Sequence, residues 1–70
     1  MVNIRLKELR KINNVTQKQV AEAVHMAERA YQRIEAGYNP NHENLIALAD
    51  YFNVSLDYLV GRSDKPEINK

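Results

Sequence analysis

The chain has 70 residues, of which 44% are hydrophobic and 27% are charged, and its net charge is +1 at pH 7. This is enough apolar material for one small folded domain, but too little chain for a second domain or a deep substrate cleft. The absence of cysteine excludes disulfides and thiolate zinc sites. No apolar run approaches the ~18 residues of a membrane span, and residues 1–20 carry charges without an apolar signal core. We therefore expect a cytoplasmic protein without membrane contact.

Apolar residues recur at helical spacing throughout the chain, which predicts an all-α domain of five short helices. The expected helices cover residues 4–12, 17–24, 28–36, 43–52 and 56–60. Residues that favour caps or turns mark their ends, namely Asn3, Asn13, Asn14, Thr16, Gly37, Asn53, Ser55 and Gly61. The expected inner faces hold Leu6, Leu9, Val20, Ala21, Val24, Ala30, Tyr31, Ile34, Leu45, Ile46, Leu48, Ala49 and Phe52, with Ile4 or Ile12 at the edge. Residues 1–61 would form the domain, and residues 62–70 a flexible polar tail.

The second and third helices are separated by only about three residues. So short a connection does not let the chain return antiparallel, and it favours a steep crossing, as in a helix-turn-helix over about residues 17–36. Ala21 supports this interpretation, because a small side chain on the inner face allows two helices to approach closely. The connection and Ala21 together predict a helix-turn-helix.

The third helix has two chemically distinct sides. At 100° per residue, Ala30, Tyr31 and Ile34 fall on the inner side. The outer side carries Glu28, Arg29, Gln32 and Arg33. These side chains suit base edges in a major groove, since Arg pairs with guanine, Gln with adenine, and Glu accepts from cytosine. A solvated helix face without a partner has the same composition, so the polar arc alone leaves both interpretations open.

Four stretches of the sequence carry a wider pattern: LKELR at residues 6–10, VTQKQVA at 15–21, IEAG at 34–37, and a spaced L, LA and FNVSLD over 45–57. Through them, residues 5–60 resemble the Cro/cI-type helix-turn-helix regulators of bacteria and phages, the XRE family. The resemblance implies a compact five-helix domain of the lambda-repressor-like type. It also implies a sequence-specific DNA-binding transcriptional regulator, usually a repressor acting as a two-fold dimer on double-stranded DNA.

The resemblance also implies roles for individual residues. Gln17 matches a glutamine that binds a backbone phosphate and supports the first residue of the recognition face. Arg10 and Glu35 match a salt bridge that ties the first helix to the third. Phosphate contacts are expected from the start of the second helix and from the loop after Gly37, namely Thr16, Gln17, Lys18, Tyr38 and Asn39. Thr16 serves equally as a helix cap, and both roles are compatible.

The chain departs from the family pattern at four positions of the helix-turn-helix. His25 stands where Gly is usual in the turn, and Ala27 where Ser or Thr usually caps the third helix. Tyr31 replaces a small aliphatic residue, so its hydroxyl is expected to reach solvent or a partner. Glu28 places a negative charge at the leading edge of the proposed DNA face, where it repels phosphates.

An enzyme is not expected. His25 and His42 lie in predicted loops without a ligand or nucleophile spacing around them, and we expect no metal, cofactor or small-molecule ligand. Dimerisation is expected through the fifth helix, where Leu56, Tyr58 and Val60 either face a partner or close the core of one chain. A protein-binding antitoxin or antirepressor on the same fold is the alternative function, favoured by the near-neutral third helix and by Glu28.

Overall fold

A computed structural model describes residues 1–66, and within them the chain forms five α-helices and no strand. The helices are α1 (Val2–Asn13), α2 (Gln17–Ala23), α3 (Glu28–Glu35), α4 (His42–Phe52) and α5 (Leu56–Leu59). The all-α prediction is confirmed. Within these residues, no helix combines the length and the apolar character that crossing a bilayer requires. The part of the predicted tail at residues 67–70 lies outside the described residues.

Local side-chain signals set most of the helix starts. The Thr16 hydroxyl accepts from the backbone N–H of Gln19 at 3.1 Å, and the Gln19 side chain accepts from the N–H of Thr16 at 2.7 Å, which forms a capping box. At the start of α5, the Ser55 hydroxyl accepts from the backbone N–H of Tyr58 at 3.0 Å, without the reciprocal side-chain bond. The prediction of Asn3 as the first cap was wrong. The N-cap is Met1, which makes no side-chain cap bond, and Asn3 lies inside the first turn of α1.

The turns between helices use left-handed backbone. Asn14 and Asn53, with φ of 55° each, end α1 and α4, and Gly37, with φ of 116°, follows α3. His25 has φ of 59° in the α2–α3 turn, in the region that a non-glycine residue enters only at a cost. The turn is closed by the backbone N–H of Met26, which donates to the carbonyl of Ala21 at 2.8 Å. His25 therefore holds the conformation that glycine would adopt without strain.

The core lies where all five helices meet. Its buried members are Leu6, Leu9, Val20, Ala21, Tyr31, Ile34, Leu48, Ala49, Phe52, Val54, Tyr58 and Leu59. Two residues expected inside are exposed, Ala30 and Ile46. On α3 the buried arc runs from Ile34 through Tyr31 to Glu35, which leaves Ala30 at its edge, and Ile46 lies about 100° round α4 from the line of buried residues. Ile4 and Ile12 are also exposed.

Residues 62–66 fold back onto α5. The backbone N–H groups of Arg62 and Ser63 donate to the carbonyl of Asp57 at 2.8 and 3.2 Å, and the N–H of Ser55 donates to the carbonyl of Pro66 at 2.9 Å. Tethered at both of its ends, this segment closes the side of the domain that contains α5.

Candidate nucleic-acid interface

Helix α3 is held from one side by two other helices, α1 and α2. Ala21 is 1% exposed where α2 meets α3, so the small side chain is used as the sequence predicts. Tyr31, Ile34 and Glu35 form the buried side of α3. The other side of α3 is exposed and open to a partner.

The open side of α3 carries the four residues that we predicted to contact bases. Glu28, Arg29, Gln32 and Arg33 are all exposed, and we call this surface the reading face. The Gln32 amide nitrogen donates to the Glu28 carboxylate at 3.3 Å, one helical turn away. This pair leaves the guanidinium groups of Arg29 and Arg33 as the positive charges of the reading face.

The residues expected to contact phosphates flank the reading face on two sides. Lys18 is exposed at the start of α2, while the Thr16 hydroxyl is engaged in the helix cap. An open hollow separates the α1–α2 connection from the start of α3, and it is lined by Arg10, Asn14, Val15, Thr16, Gln17, Lys18 and Glu28. On the other side, Tyr38 is 67% exposed and Asn39 is exposed beyond the end of α3.

A buried carboxylate joins the three helices beside the reading face. Glu35 is 2% exposed and accepts two bonds from the Arg10 guanidinium, Nε to Oε2 at 2.6 Å and Nη2 to Oε1 at 2.9 Å. Gln17 donates from Nε2 to the same Oε1 at 3.0 Å. Arg10 also reaches the carbonyl of Val15 at 3.4 Å. We refer to Arg10, Gln17, Tyr31 and Glu35 as the Glu35 cluster.

Sequence reasoning anticipated the Arg10–Glu35 pair but missed the bond from Gln17 to Glu35. The available signal was a carboxylate at the edge of the inner face of α3, with two hydrogen-bond donors at the ends of neighbouring helices. Gln17 is half-buried as a result. One of its two amide hydrogens points inward rather than toward solvent.

Tyr31 does not behave as expected. It is 0% exposed, and among the described residues its hydroxyl is a buried polar atom without a hydrogen-bond partner, so the prediction that it reaches solvent or a partner was wrong. Tyr31 lies between Ile34 and Glu35 on the buried arc of α3, so helical geometry places its ring in the core. Burial raises the pKa of Tyr31, and the neighbouring Glu35 carboxylate raises it further.

The charge of Glu35 is maintained despite its burial. Burial alone would raise the pKa of this carboxyl group, but the Arg10 guanidinium, the neighbouring Tyr31 hydroxyl and the Gln17 amide, in that order, outweigh it. The net result is a pKa below the usual glutamate value. Glu35 is therefore ionised at neutral pH and holds its donors as an anion.

The surface expected to form a dimer lies on α5, away from α3. Leu56 and Val60 are half-buried, whereas Tyr58 is 8% exposed and belongs to the core, with the Arg5 guanidinium 4.1 Å from its ring centroid. An open hollow between α4 and α5 adjoins Leu56 and is lined by Ile46, Ala49, Asp50, Val54, Ser55, Leu56 and Asp57.

Within residues 1–66, no group of His, Asp and Glu side chains is arranged to hold a metal ion.

The fold and the open reading face are those of a helix-turn-helix domain, and comparison with known proteins agrees. Residues 6–59 match the family model described as Helix-turn-helix. The chain belongs to this XRE-type helix-turn-helix family, whose members are DNA-binding transcriptional regulators with the lambda-repressor-like all-α fold. No solved structure matches the chain significantly.

Three regulators illustrate the relationship. The chain is 38% identical to the uncharacterized HTH-type transcriptional regulator YobD of Bacillus subtilis (strain 168), over 90% of this chain and 57% of the relative. It is 39% identical to the cryptic phage CTXphi transcriptional repressor RstR of Vibrio cholerae, over 83% of this chain and 53% of that protein. It is 36% identical to the HTH-type transcriptional activator BcrR of Enterococcus faecalis, over 83% of this chain and 29% of that protein. The chain thus spans only part of the length of these relatives.

Proposed function

We propose that this protein is a sequence-specific transcriptional repressor that binds a short inverted repeat in DNA as a homodimer. The observation that carries the proposal is the reading face, four exposed polar residues on the unpacked side of the second helix of a helix-turn-helix. A repressor among the relatives favours repression, although an activator is similar to nearly the same degree. The sign of regulation is therefore the part of the proposal that needs a reporter assay.

The reading face has specific partners in this proposal. Arg29 and Arg33 donate to guanine O6 and N7, and Gln32 pairs with adenine. Glu28 accepts from the cytosine amino group, or it holds Gln32 through the 3.3 Å hydrogen bond seen in the DNA-free protein. We expect guanines at the positions opposite the two arginines.

Phosphate contacts in the proposed complex come from few charges. Residues 16–35 contain three basic side chains, Lys18, Arg29 and Arg33, against three acidic ones. Binding then depends mainly on hydrogen bonds from neutral groups, namely Gln17, Tyr38, Asn39 and the backbone N–H groups near Thr16. This surface would bind DNA with a weak dependence on salt.

Dimerisation would double the number of bases that the protein reads. One recognition helix contacts only a few base pairs, so useful specificity requires two half-sites about 34 Å apart. We place the dimer contact on α5, where Leu56 and Val60 keep part of their apolar surface exposed and Leu56 shares a hollow with the exposed Ile46. Tyr58 contributes indirectly, because its burial in the core fixes the position of α5, which carries Leu56 and Val60.

A protein-binding antitoxin or antirepressor is the second candidate. The observation that favours it is the balanced charge of residues 16–35, with Glu28 at the front of the reading face. Such a module would present the same helix to another protein rather than to DNA. Binding to random-sequence DNA separates the two candidates.

The experiment is selection of binding sites from a random duplex pool, followed by gel-shift measurement of affinity for the selected site. The variant Arg29→Ala/Gln32→Ala/Arg33→Ala is expected to lose at least about 100-fold in affinity, since each specific base contact contributes about 1–3 kcal/mol. The control variant Arg62→Ala/Lys65→Ala removes two exposed positive charges beyond α5 and should bind within about threefold of the parent. A triple variant that keeps both affinity and selectivity contradicts the proposal.

A further inference from the structure

The unpaired hydroxyl of Tyr31 calls for a physical explanation. Tyr31 is completely buried, and its hydroxyl is the buried side-chain polar atom of residues 1–66 that has no hydrogen-bond partner. Such a group is destabilising, and buried polar groups in folded proteins are normally paired. A phenylalanine would fill the same space without this cost.

The hydroxyl lies beside an acceptor that is largely occupied. The Tyr31 hydroxyl is close enough to the Glu35 carboxylate to help lower its pKa, although no hydrogen bond joins the two groups. The carboxylate already accepts from Arg10 at 2.6 and 2.9 Å and from Gln17 at 3.0 Å. These three bonds use most of the roughly four acceptor sites of a carboxylate. Tyr31 is thus positioned as an additional donor to Glu35.

Gln17 is the donor of this cluster that, under the proposed function, also contacts DNA. It stands at the first position of α2, on the rim of the interface and in the lining of the hollow that includes Lys18. Under the proposed function its amide nitrogen donates to a DNA phosphate. If the amide turns outward to do so, the buried Glu35 carboxylate loses a hydrogen bond, which is costly for a group that is 2% exposed.

We infer that Tyr31 is a positioning residue for DNA binding, whose buried hydroxyl donates to Glu35 when the Gln17 amide moves from that carboxylate to a DNA phosphate. This inference rests on the proposed function, which supplies the phosphate. Tyr31 is unpaired in the DNA-free protein and paired in the complex. It therefore offsets the loss of the Gln17–Glu35 bond.

The variant Tyr31→Phe tests the inference because stability and affinity change in opposite directions. Without the unpaired hydroxyl, the melting temperature should rise by about 4 °C, while affinity for the selected duplex should fall about threefold to tenfold. If Tyr31 had only a structural role, Tyr31→Phe would change the melting temperature and the DNA affinity in the same direction. Tyr51→Phe removes the hydroxyl of a 37% exposed tyrosine on α4 and should change neither.

Gln17→Ala provides a second test, and its first measurement, of stability, needs no DNA. In that variant the Gln17–Glu35 bond is already absent, so Tyr31 should donate to Glu35 in the free protein. Tyr31→Phe should then lower the melting temperature by about 4 °C instead of raising it, and it should no longer affect DNA affinity.

The outcomes separate the inference from the function on which it rests. A parent protein that selects no duplex overturns both. If the parent binds and Tyr31→Phe binds equally well, only the inference is overturned. The same holds if Tyr31→Phe weakens binding to the same degree in the Gln17→Ala background, because Gln17 then donates to phosphate without leaving Glu35. A fall in melting temperature for Tyr31→Phe alone would make Tyr31 an ordinary structural residue.

Discussion

Removal of the Glu35 carboxylate should destabilise the domain severely. Glu35 is 2% exposed and accepts three hydrogen bonds, and Glu35→Ala leaves the Arg10 guanidinium without its partner. Breaking a buried ion pair from one side costs about 3–5 kcal/mol. The Arg10 side chain is 24% exposed and stays partly hydrated. The expected loss in the free energy of unfolding is therefore at the lower end of this range, about 3 kcal/mol.

That loss is large for a domain of this size. At about 0.05–0.15 kcal/mol per residue, 70 residues give a free energy of unfolding of about 4–10 kcal/mol. The expected fall in melting temperature is about 12–24 °C, since 1 kcal/mol corresponds to about 4–8 °C in a small domain. Urea and thermal unfolding, followed by circular dichroism at pH 7, measure both quantities.

A matched control distinguishes the loss of the Arg10–Glu35 ion pair from the general effect of replacing a glutamate with alanine. Glu22 is exposed on α2 and forms no side-chain hydrogen bond within the described residues, so Glu22→Ala should change the free energy of unfolding by no more than about 0.5 kcal/mol. If Glu35→Ala stays within about 1 kcal/mol of the parent, the Glu35 cluster does not hold the helices together as argued.

Three further predictions concern pH, backbone strain and salt. The pKa of Glu35 is lowered in the folded protein, so its contribution to stability is complete above the usual value of about 4.3 and is lost as the pH falls through the lower folded-state value. Acid should therefore destabilise the parent more steeply than Glu35→Gln below about pH 4.3, and equal slopes in an acid titration of the free energy of unfolding would argue against this. His25→Gly should raise the free energy of unfolding by about 1 kcal/mol in urea, because it relieves the strain at φ of 59°; a loss of stability would mean that the His25 side chain makes a compensating contact. The logarithm of DNA affinity should fall with the logarithm of salt concentration at a slope of about 2–3 per subunit, as for two or three neutralised phosphates, and a much steeper slope would place the contact surface elsewhere.

Local sequence signals were sufficient to locate the five helices. Thr16 and Ser55 cap the helices that they were expected to cap. The start of α1 was missed because Met1 supplies only its backbone there, and backbone caps leave no signature in the sequence. We predicted that α4 begins at residue 43, but it begins at His42. The cap is Asn41, which the sequence analysis assigned to the preceding loop.

The helical period was also sufficient to predict which side of α3 is open. It could not predict the Glu35 cluster in full, because the bond from Gln17 to Glu35 depends on the angle between α2 and α3. No local pattern encodes that angle. The burial of the Tyr31 hydroxyl depends on the same angle together with the position of α1, so it also required the three-dimensional structure.

In this domain, apolar packing and the Glu35 cluster have different roles: packing supplies most of the stability, and the cluster fixes the relative positions of α1, α2 and α3. Apolar contacts between α1, α2 and α3 hold the helices together, but they tolerate small shifts along the crossing, whereas the bonds of Glu35 to Arg10 and Gln17 fix one arrangement. Replacing both charges by apolar residues, as in Arg10→Met/Glu35→Leu, leaves no uncompensated ion and should restore most of the stability that Glu35→Ala loses. The same double variant no longer fixes the arrangement of α1, α2 and α3, so the reading face is held less precisely and the variant should bind the selected duplex more weakly than the parent. A double variant with both parental stability and parental affinity would show that apolar packing alone sets the angle of the reading face.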